Sequence, residues 1–245
     1  MRIWALMGTT FIAVAVLFAD GAAVAQGEGG LRDPNPQERA ALMHYREVIN
    51  KVLDQFRSDD WDEAIDYEIT DDVSVSGDPD VPLNINEMNQ RTYNVRNGSA
   101  LYQKEVAPII AKLSATTDPM EMARIAKQKK MTTLSVEAHF DALCVGMDPA
   151  PAGNSDLHIP GAAAAYRIKP GKFDKGTTVV LLFGNWKTAS WNGENGCERY
   201  KFKHAAHQPA IENVVIQMDG SPERIEELLH SVNWKAVNDA LTEKP

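Results

Sequence analysis

The stretch that decides the fold is Leu134-Ser-Val-Glu-Ala-His-Phe-Asp-Ala-Leu-Cys144, in which apolar and polar side chains alternate. In an extended chain the apolar residues share one face: Leu134, Val136, Ala138, Phe140, Ala142 and Cys144. Ser135, Glu137, His139 and Asp141 share the other face. Such alternation predicts an antiparallel strand with one face on the core and the other toward water.

Further elements are predicted on both sides of this strand. Apolar and β-branched runs predict strands over 159–169, 177–183 and 211–218, and short strands joined by loops over 58–97. Helical spacing predicts helices over 36–57, over 99–114 with a break at Pro108, over 118–130, and after Ser221 and Asn233. This order predicts an α+β fold whose mostly antiparallel sheet is packed by N-terminal and C-terminal helices. We expect a single domain over 36–245, with a sub-boundary near 130 as the alternative.

The start of the first helix carries a capping signal. Asn35 is a good N-cap residue, Pro36 suits the first helical position, and Glu38 stands three residues after the cap. Residues 26–35 before it are rich in glycine and polar side chains, which predicts a flexible lead-in.

The N-terminal 25 residues have the pattern of a secretory signal peptide. Arg2 precedes an uncharged apolar stretch over 3–18, and Ala23-Val24-Ala25 before Gln26 fits a cleavage site. We therefore expect an exported, soluble protein of the periplasm or cell exterior, with no stable membrane insertion after cleavage. An uncleaved N-terminal anchor is the alternative.

Export changes the interpretation of the two cysteines, Cys144 and Cys197. An even number of cysteines in an oxidising compartment predicts a disulfide between them. Closing a loop of about 53 residues would stabilise the fold by roughly 4 kcal/mol in the loop-entropy model.

The charge distribution limits the class of partner. The formal net charge is −9, which excludes general binding to nucleic acid. Acids outnumber bases by 16 to 7 in residues 26–100 and equal them afterwards. Residues 58–90 hold eleven acids and no Lys or Arg. A solvated acidic face, a calcium site and a docking surface for a basic partner are the three interpretations.

The polar face of the deciding strand is a candidate metal site. Glu137, His139 and Asp141 would have Cβ atoms about 6.5–7 Å apart, and converging side chains of these types suit zinc. His204 and His207 would complete the site if the fold brought them near. No cofactor is required by any motif, so zinc or calcium stays an alternative.

A second candidate is the loop over residues 184–197. Trp186, Trp191, Asn192 and Asn195 combine aromatic rings with amide groups, a mixture that stacks on sugars or meets a protein surface. In the competing interpretation Trp186 closes the core at the strand end and Trp191 caps a hairpin.

No catalytic residue is assigned, because the chain lacks the Gly-x-Ser-x-Gly, P-loop and dinucleotide-binding motifs. The leading hypothesis is a non-enzymatic binding protein whose partner is a protein. A metal-dependent hydrolase using Glu137, His139 and Asp141 with His204 or His207 is the first alternative. A carbohydrate-binding module using Trp186 and Trp191 is the second. The sequence does not predict the oligomeric state.

Overall fold

The computed structural model describes residues 31–64, 74–77, 88–126, 132–142, 144–145, 155–168, 176–188, 200–201 and 211–242. The predicted signal peptide, Cys197, Trp191, Asn192, Asn195, His204 and His207 lie outside these residues. The helices are α1 (Pro36–Leu53), α2 (Ala107–Ala115), α3 (Pro119–Ala126), α4 (Pro222–Ser231) and α5 (Lys235–Thr242). The strands are β1 (Leu31–Arg32), β2 (Trp61–Ala64), β3 (Val75–Ser76), β4 (Met88–Val95), β5 (Thr133–Phe140), β6 (Cys144–Val145), β7 (Ser155–Asp156), β8 (Ala164–Ile168), β9 (Thr177–Gly184), β10 (Lys187–Thr188), β11 (Tyr200–Lys201) and β12 (Asn213–Gly220).

The predicted α+β class is confirmed. Seven strands form an antiparallel sheet in the order β2-β4-β5-β12-β9-β8-β7. Two smaller antiparallel sheets pair β1 with β3, and β10 with β11 and β6. The three central strands of this sheet, β5, β12 and β9, lie where the apolar patterns predict strands.

Helices α1, α4 and α5 pack on one face of the main sheet. That face supplies Leu134, Val136 and Phe140 from β5, all buried in the larger core cluster. Trp234 stands at its centre, with its ring edge-on to Phe56 (5.7 Å between centroids) and stacked with Phe183 (6.4 Å). Burial of these large rings holds the helical layer on the sheet.

Helix α1 begins where the capping signal predicts. Asn35 Oδ1 accepts hydrogen bonds from the backbone N–H groups of Gln37 and Glu38, both at 2.9 Å. The Glu38 carboxylate accepts in return from the Asn35 N–H at 2.8 Å. Arg32 donates to both oxygens of Glu38 at 2.7 Å, so the lead-in strand β1 is tied to the helix start.

The other face of the main sheet is mixed. Toward β8 and β9 it is apolar, with a second core cluster of Tyr166, Val180, Leu182, Trp186 and Val215. Toward β4 and β5 it carries polar side chains. Among the described helices, none is long and apolar enough to cross a membrane.

Candidate functional site

Two of the residues predicted for a metal site do share a sheet face. Glu137 and His139 lie on β5, each partly exposed, and His139 Nε2 is 3.4 Å from Glu137 Oε2. Gln90 of the neighbouring strand β4 donates to Glu137 Oε1 at 3.2 Å. The prediction from strand alternation therefore places these two side chains correctly.

Asp141 departs from the predicted strand. Strand β5 ends at Phe140, and Asp141 adopts a left-handed backbone conformation with φ of 48°. Its side chain is buried, with Oδ1 accepting from the N–H groups of Glu212 (2.7 Å) and Asn213 (3.4 Å). These backbone bonds draw the carboxylate to the start of β12, so it does not continue the polar face of Glu137 and His139.

A carboxylate that the sequence did not suggest lies near Glu137 instead. Asp219 of β12 accepts hydrogen bonds from Thr178, and from Gln217 Nε2 at 2.9 Å. Burial raises the pKa of Asp219, the two hydrogen bonds oppose this, and the Glu137 carboxylate raises it further. Gln217 stands directly opposite Glu137 in the β5–β12 register. The side chains of Glu137 and Asp219 are therefore diagonal neighbours on adjacent strands.

This polar network does not amount to a metal site in the part of the chain that the structure describes. No group of three or more His, Cys, Asp or Glu residues there has the geometry to hold a metal ion. His204 and His207, which were predicted to complete the site, fall outside that part.

Trp186 has the core position that the competing interpretation gave it. Its side chain is only 9% exposed and its indole N–H donates to the Phe183 carbonyl at 3.0 Å. It packs with the second core cluster. Its ring therefore offers little surface for a sugar or a protein.

A groove between three separate segments is a stronger candidate. A volume of about 220 Å³ is enclosed by residues 58–61 at the start of β2, residues 101–106 before α2, and residues 221–227 at the start of α4. Val95 and Thr132 complete the lining. Sheet, helix and connecting turn thus converge at the open edge of β2.

Trp61 and Arg224 are buried residues of the groove lining, and we refer to this pair as the floor of the groove. Both are buried, and the Arg224 guanidinium carbon lies 5.5 Å from the centroid of the Trp61 ring, a cation–π arrangement. Arg224 Nη2 donates to the Phe56 carbonyl, and Nη1 pairs with Glu227 at 2.8 Å. Its buried Nε has no hydrogen-bond partner among the described residues.

Four of the residues that line the groove are carboxylates: Asp60, Glu105, Glu223 and Glu227. They come from three segments that are far apart in the sequence, and among the groove's lining residues Arg224 is the single basic one. Asp60 Oδ1 also accepts a hydrogen bond from the Leu101 N–H at 3.1 Å, which holds the segment before α2 next to the start of β2. The groove lining is therefore acidic, apart from the buried Arg224 guanidinium.

A π-turn over Tyr102–Val106 forms one wall. The Ala107 N–H bonds to the Tyr102 carbonyl, one residue further back than in an α-helix. Pro108 explains the irregularity, because it lacks an N–H and its ring excludes the carbonyl four residues earlier. The wider turn positions Glu105 and Val106 at the groove, and π-turns of this kind are frequent at functional sites.

Only part of this groove has a signal in the sequence. Asp60 belongs to the acidic stretch for which a docking surface is one of three interpretations, and Pro108 marks the helix irregularity. Trp61 and Arg224 carried no motif, since their stacking depends on α4 folding back 163 positions onto β2. Their pairing was missed for that reason.

Comparison of the chain with protein-family models, with curated proteins and with solved structures finds no match.

Proposed function

We propose that the protein is exported and works by binding, as a non-enzymatic protein of the periplasm or cell exterior. Its partner, in this proposal, is another protein that inserts a basic side chain into the acidic groove. The observation that carries the proposal is that four carboxylates line one groove together with the Trp61–Arg224 pair.

The size of the groove favours one side chain over a free cofactor. Small-molecule sites typically enclose roughly 300–1,000 Å³, and this groove is smaller, at about 220 Å³. A lysine or arginine side chain is long enough to pass between the carboxylates while its backbone stays outside. Complementary charge would steer such a partner and fix its orientation.

The floor of the groove supplies a second kind of contact. Arg224 Nε has no acceptor among the described residues, and an unsatisfied buried donor costs roughly 1–3 kcal/mol. A carbonyl oxygen from the entering segment would offer one after a small side-chain movement. A peptide with a basic side chain supplies both a positive charge for the carboxylates and a carbonyl oxygen for Arg224. A metal ion supplies only the positive charge.

The two alternative functions have less support. A hydrolase site would need a third ligand beside Glu137 and His139, and Asp141 is engaged by the backbone of β12. A carbohydrate site would need an exposed Trp186, whose ring is buried.

The experiment is a calorimetric titration with capped pentapeptides. Acetylated and amidated Gly-Gly-Arg-Gly-Gly and Gly-Gly-Lys-Gly-Gly should bind, and Gly-Gly-Gln-Gly-Gly should not. The double variant Glu105→Gln/Glu223→Gln, here called the rim variant, removes two negative charges from the groove lining. It should weaken binding of the basic peptides by about tenfold, since each ion pair between a peptide cation and an exposed carboxylate is worth up to roughly 1 kcal/mol.

A matched control removes the same charge elsewhere. Glu47→Gln/Asp239→Asn changes two exposed acids on α1 and α5, each in an ion pair with a lysine on its own helix. This control should bind like the wild type. Equal affinity of the rim variant and the control, or equal affinity for the glutamine peptide, would contradict the proposal.

A further inference from the structure

The tight turn between β4 and the π-turn carries an Asn–Gly pair. The Ser99 N–H donates to the Arg96 carbonyl at 3.1 Å, which closes a β-turn with Asn97 and Gly98 as its two central residues. Gly98 has φ of 86°, the left-handed value that the second central position of a type II turn requires. Glycine adopts this conformation without strain, so the turn itself favours glycine here. Both central residues are exposed to water.

The side-chain amide of Asn97 and the backbone nitrogen of Gly98 are both free to react. Among the hydrogen bonds within the described ranges, none is donated by the Gly98 N–H and none involves the Asn97 side chain. A Cβ added to Gly98 would meet no atom within 4 Å, so no neighbouring group crowds the turn. The peptide group between the two residues can therefore rotate in water while the Ser99–Arg96 hydrogen bond holds the ends of the turn.

Two other asparagines are held by the sheet instead. Asn94 Oδ1 accepts from the Thr133 hydroxyl at 3.1 Å, and the N–H that follows it, that of Val95, donates to a backbone carbonyl at 2.9 Å. Asn213 is buried and bonds to the backbone of Ala142 through both its amide nitrogen and its oxygen. Neither is followed by glycine. Asn97 thus combines an exposed amide, an unbonded following N–H and a glycine neighbour.

We propose that Asn97 is a site of spontaneous deamidation and isomerisation. The Gly98 nitrogen loses its proton and attacks Cγ of Asn97, which forms a C–N bond and a five-membered cyclic imide. The Cγ–Nδ2 bond breaks, and ammonia leaves with the proton. Water then opens the ring. Breaking the bond from nitrogen to Cγ gives aspartate, and breaking the bond from nitrogen to the backbone carbonyl carbon gives isoaspartate. Water is consumed and ammonia is released, so no further reactant is needed.

Isoaspartate would change the connection between β4 and one wall of the groove. It adds one carbon to the backbone and leaves a free carboxylate beside it. The turn stands between Val95 and Leu101, which both line the groove, and Ser99 Oγ accepts from the N–H of Tyr102 at 3.1 Å. A longer backbone in the turn should displace the π-turn wall and weaken binding in the groove. This effect on binding rests on the proposed function, whereas the chemistry at Asn97 does not.

The test incubates the folded protein for several days at body temperature and mildly alkaline pH, beside a capped Arg-Asn-Gly-Ser peptide as the reference. Mass spectrometry follows the tryptic peptides that contain residue 97, and electron-transfer fragmentation distinguishes isoaspartate from aspartate. Digestion in oxygen-18-labelled water marks any conversion during the digestion itself. Mapping by peptide separates this turn from the Asn–Gly pairs at 192–193 and 195–196, which lie outside the described residues. We expect residue 97 to convert at a rate close to that of the reference peptide, with isoaspartate as the main product.

Two variants locate the reaction. Asn97→Gln keeps a side-chain amide but would have to close a six-membered ring, so its residue 97 should stay unmodified. Asn94→Gln, a change of the same kind within β4, is the control and should convert at residue 97 like the wild type. Circular dichroism of each variant checks that the fold is retained.

Calorimetric titration with capped Gly-Gly-Arg-Gly-Gly measures the effect on the groove. Incubated wild type should bind several-fold more weakly than fresh protein, and incubated Asn97→Gln should bind like fresh protein. Fresh Asn97→Asp carries the new charge without the additional backbone carbon, and it should bind no more weakly than the wild type. Equal binding of fresh and converted wild type would refute the effect on the groove.

The outcomes separate the modification from the proposed function. If residue 97 converts but no form of the protein binds the peptide, the proposed function fails and the modification site stands. If residue 97 stays intact while the reference peptide converts, the modification site is refuted. Asn97-Gly98-Ser99 also has the form of an N-glycosylation sequon. A glycan on Asn97 in protein from the native host would occupy the amide and overturn the inference.

Discussion

At the scale of single residues, Asp141 has the least ordinary environment among the described carboxyl groups. It is buried, and Oδ2 has no hydrogen-bond partner within the described ranges. Burial raises its pKa from the ordinary 3.8 to about 8, although two backbone N–H groups donate to Oδ1 and oppose the shift. The Asp141 carboxyl group therefore joins the end of β5 to the start of β12 in its protonated form at neutral pH.

The folded protein should consequently become less stable as the pH rises. Because the folded-state pKa lies above the unfolded value, the contribution of Asp141 is complete below about pH 4 and is lost by about pH 8. Relative to Asp141→Asn, which cannot ionise and tolerates the left-handed backbone, the free energy of unfolding should fall by up to about 1.4 kcal/mol per pH unit. Urea denaturation of both proteins at about pH 5, 7 and 9 measures this difference. A difference that does not change with pH would show that Asp141 titrates normally.

At the scale of secondary-structure elements, the capping box is the clearest local determinant. Asn35→Ala removes the acceptor of two backbone N–H groups and should lower the free energy of unfolding by about 1 kcal/mol. Asn35→Asp retains an acceptor and should cost little. Chemical denaturation compares the two, and equal losses would mean that the side-chain oxygen does not stabilise α1.

Elements with a local signal could be predicted, and junctions between elements could not. Alternation located β5, and the cap located α1, because both patterns depend on neighbours in the sequence. The predicted strand runs to Cys144, whereas β5 ends at Phe140. The difference arises because the left-handed turn at Asp141 is stabilised by the backbone of Glu212 and Asn213, at the start of a strand distant in the sequence. The groove could not be predicted from the sequence for the same reason. Its three segments meet only after the sheet and α4 have packed.

At the scale of the whole molecule, the structure changes the interpretation of the charge. The excess of acids lies in residues 26–100, yet three of the four groove carboxylates, Glu105, Glu223 and Glu227, come from the electrically balanced remainder. Local assembly, not regional composition, makes the groove acidic. The net charge of a segment therefore predicts poorly where a basic partner would bind.

The disulfide stays a prediction at this scale, because Cys197 lies outside the described residues. Cys144 begins β6, which pairs with β11 and so connects to β10 beside the second core cluster. Thiol titration of the unreduced, denatured mature protein should find no free thiol. Detection of both cysteines as free thiols would contradict the pairing and the oxidising compartment that it implies.

The central claim is that a basic side chain enters the groove between β2, the π-turn and α4. The most direct measurement is an NMR titration of the ¹⁵N-labelled protein with capped Gly-Gly-Arg-Gly-Gly. We predict that the Trp61 indole signal and the amide signals of residues 58–61, 101–106, 221 and 223–227 shift together and saturate, and that the glutamine peptide leaves them unchanged. Shifts confined to other parts of the protein, or none at all, would contradict the account.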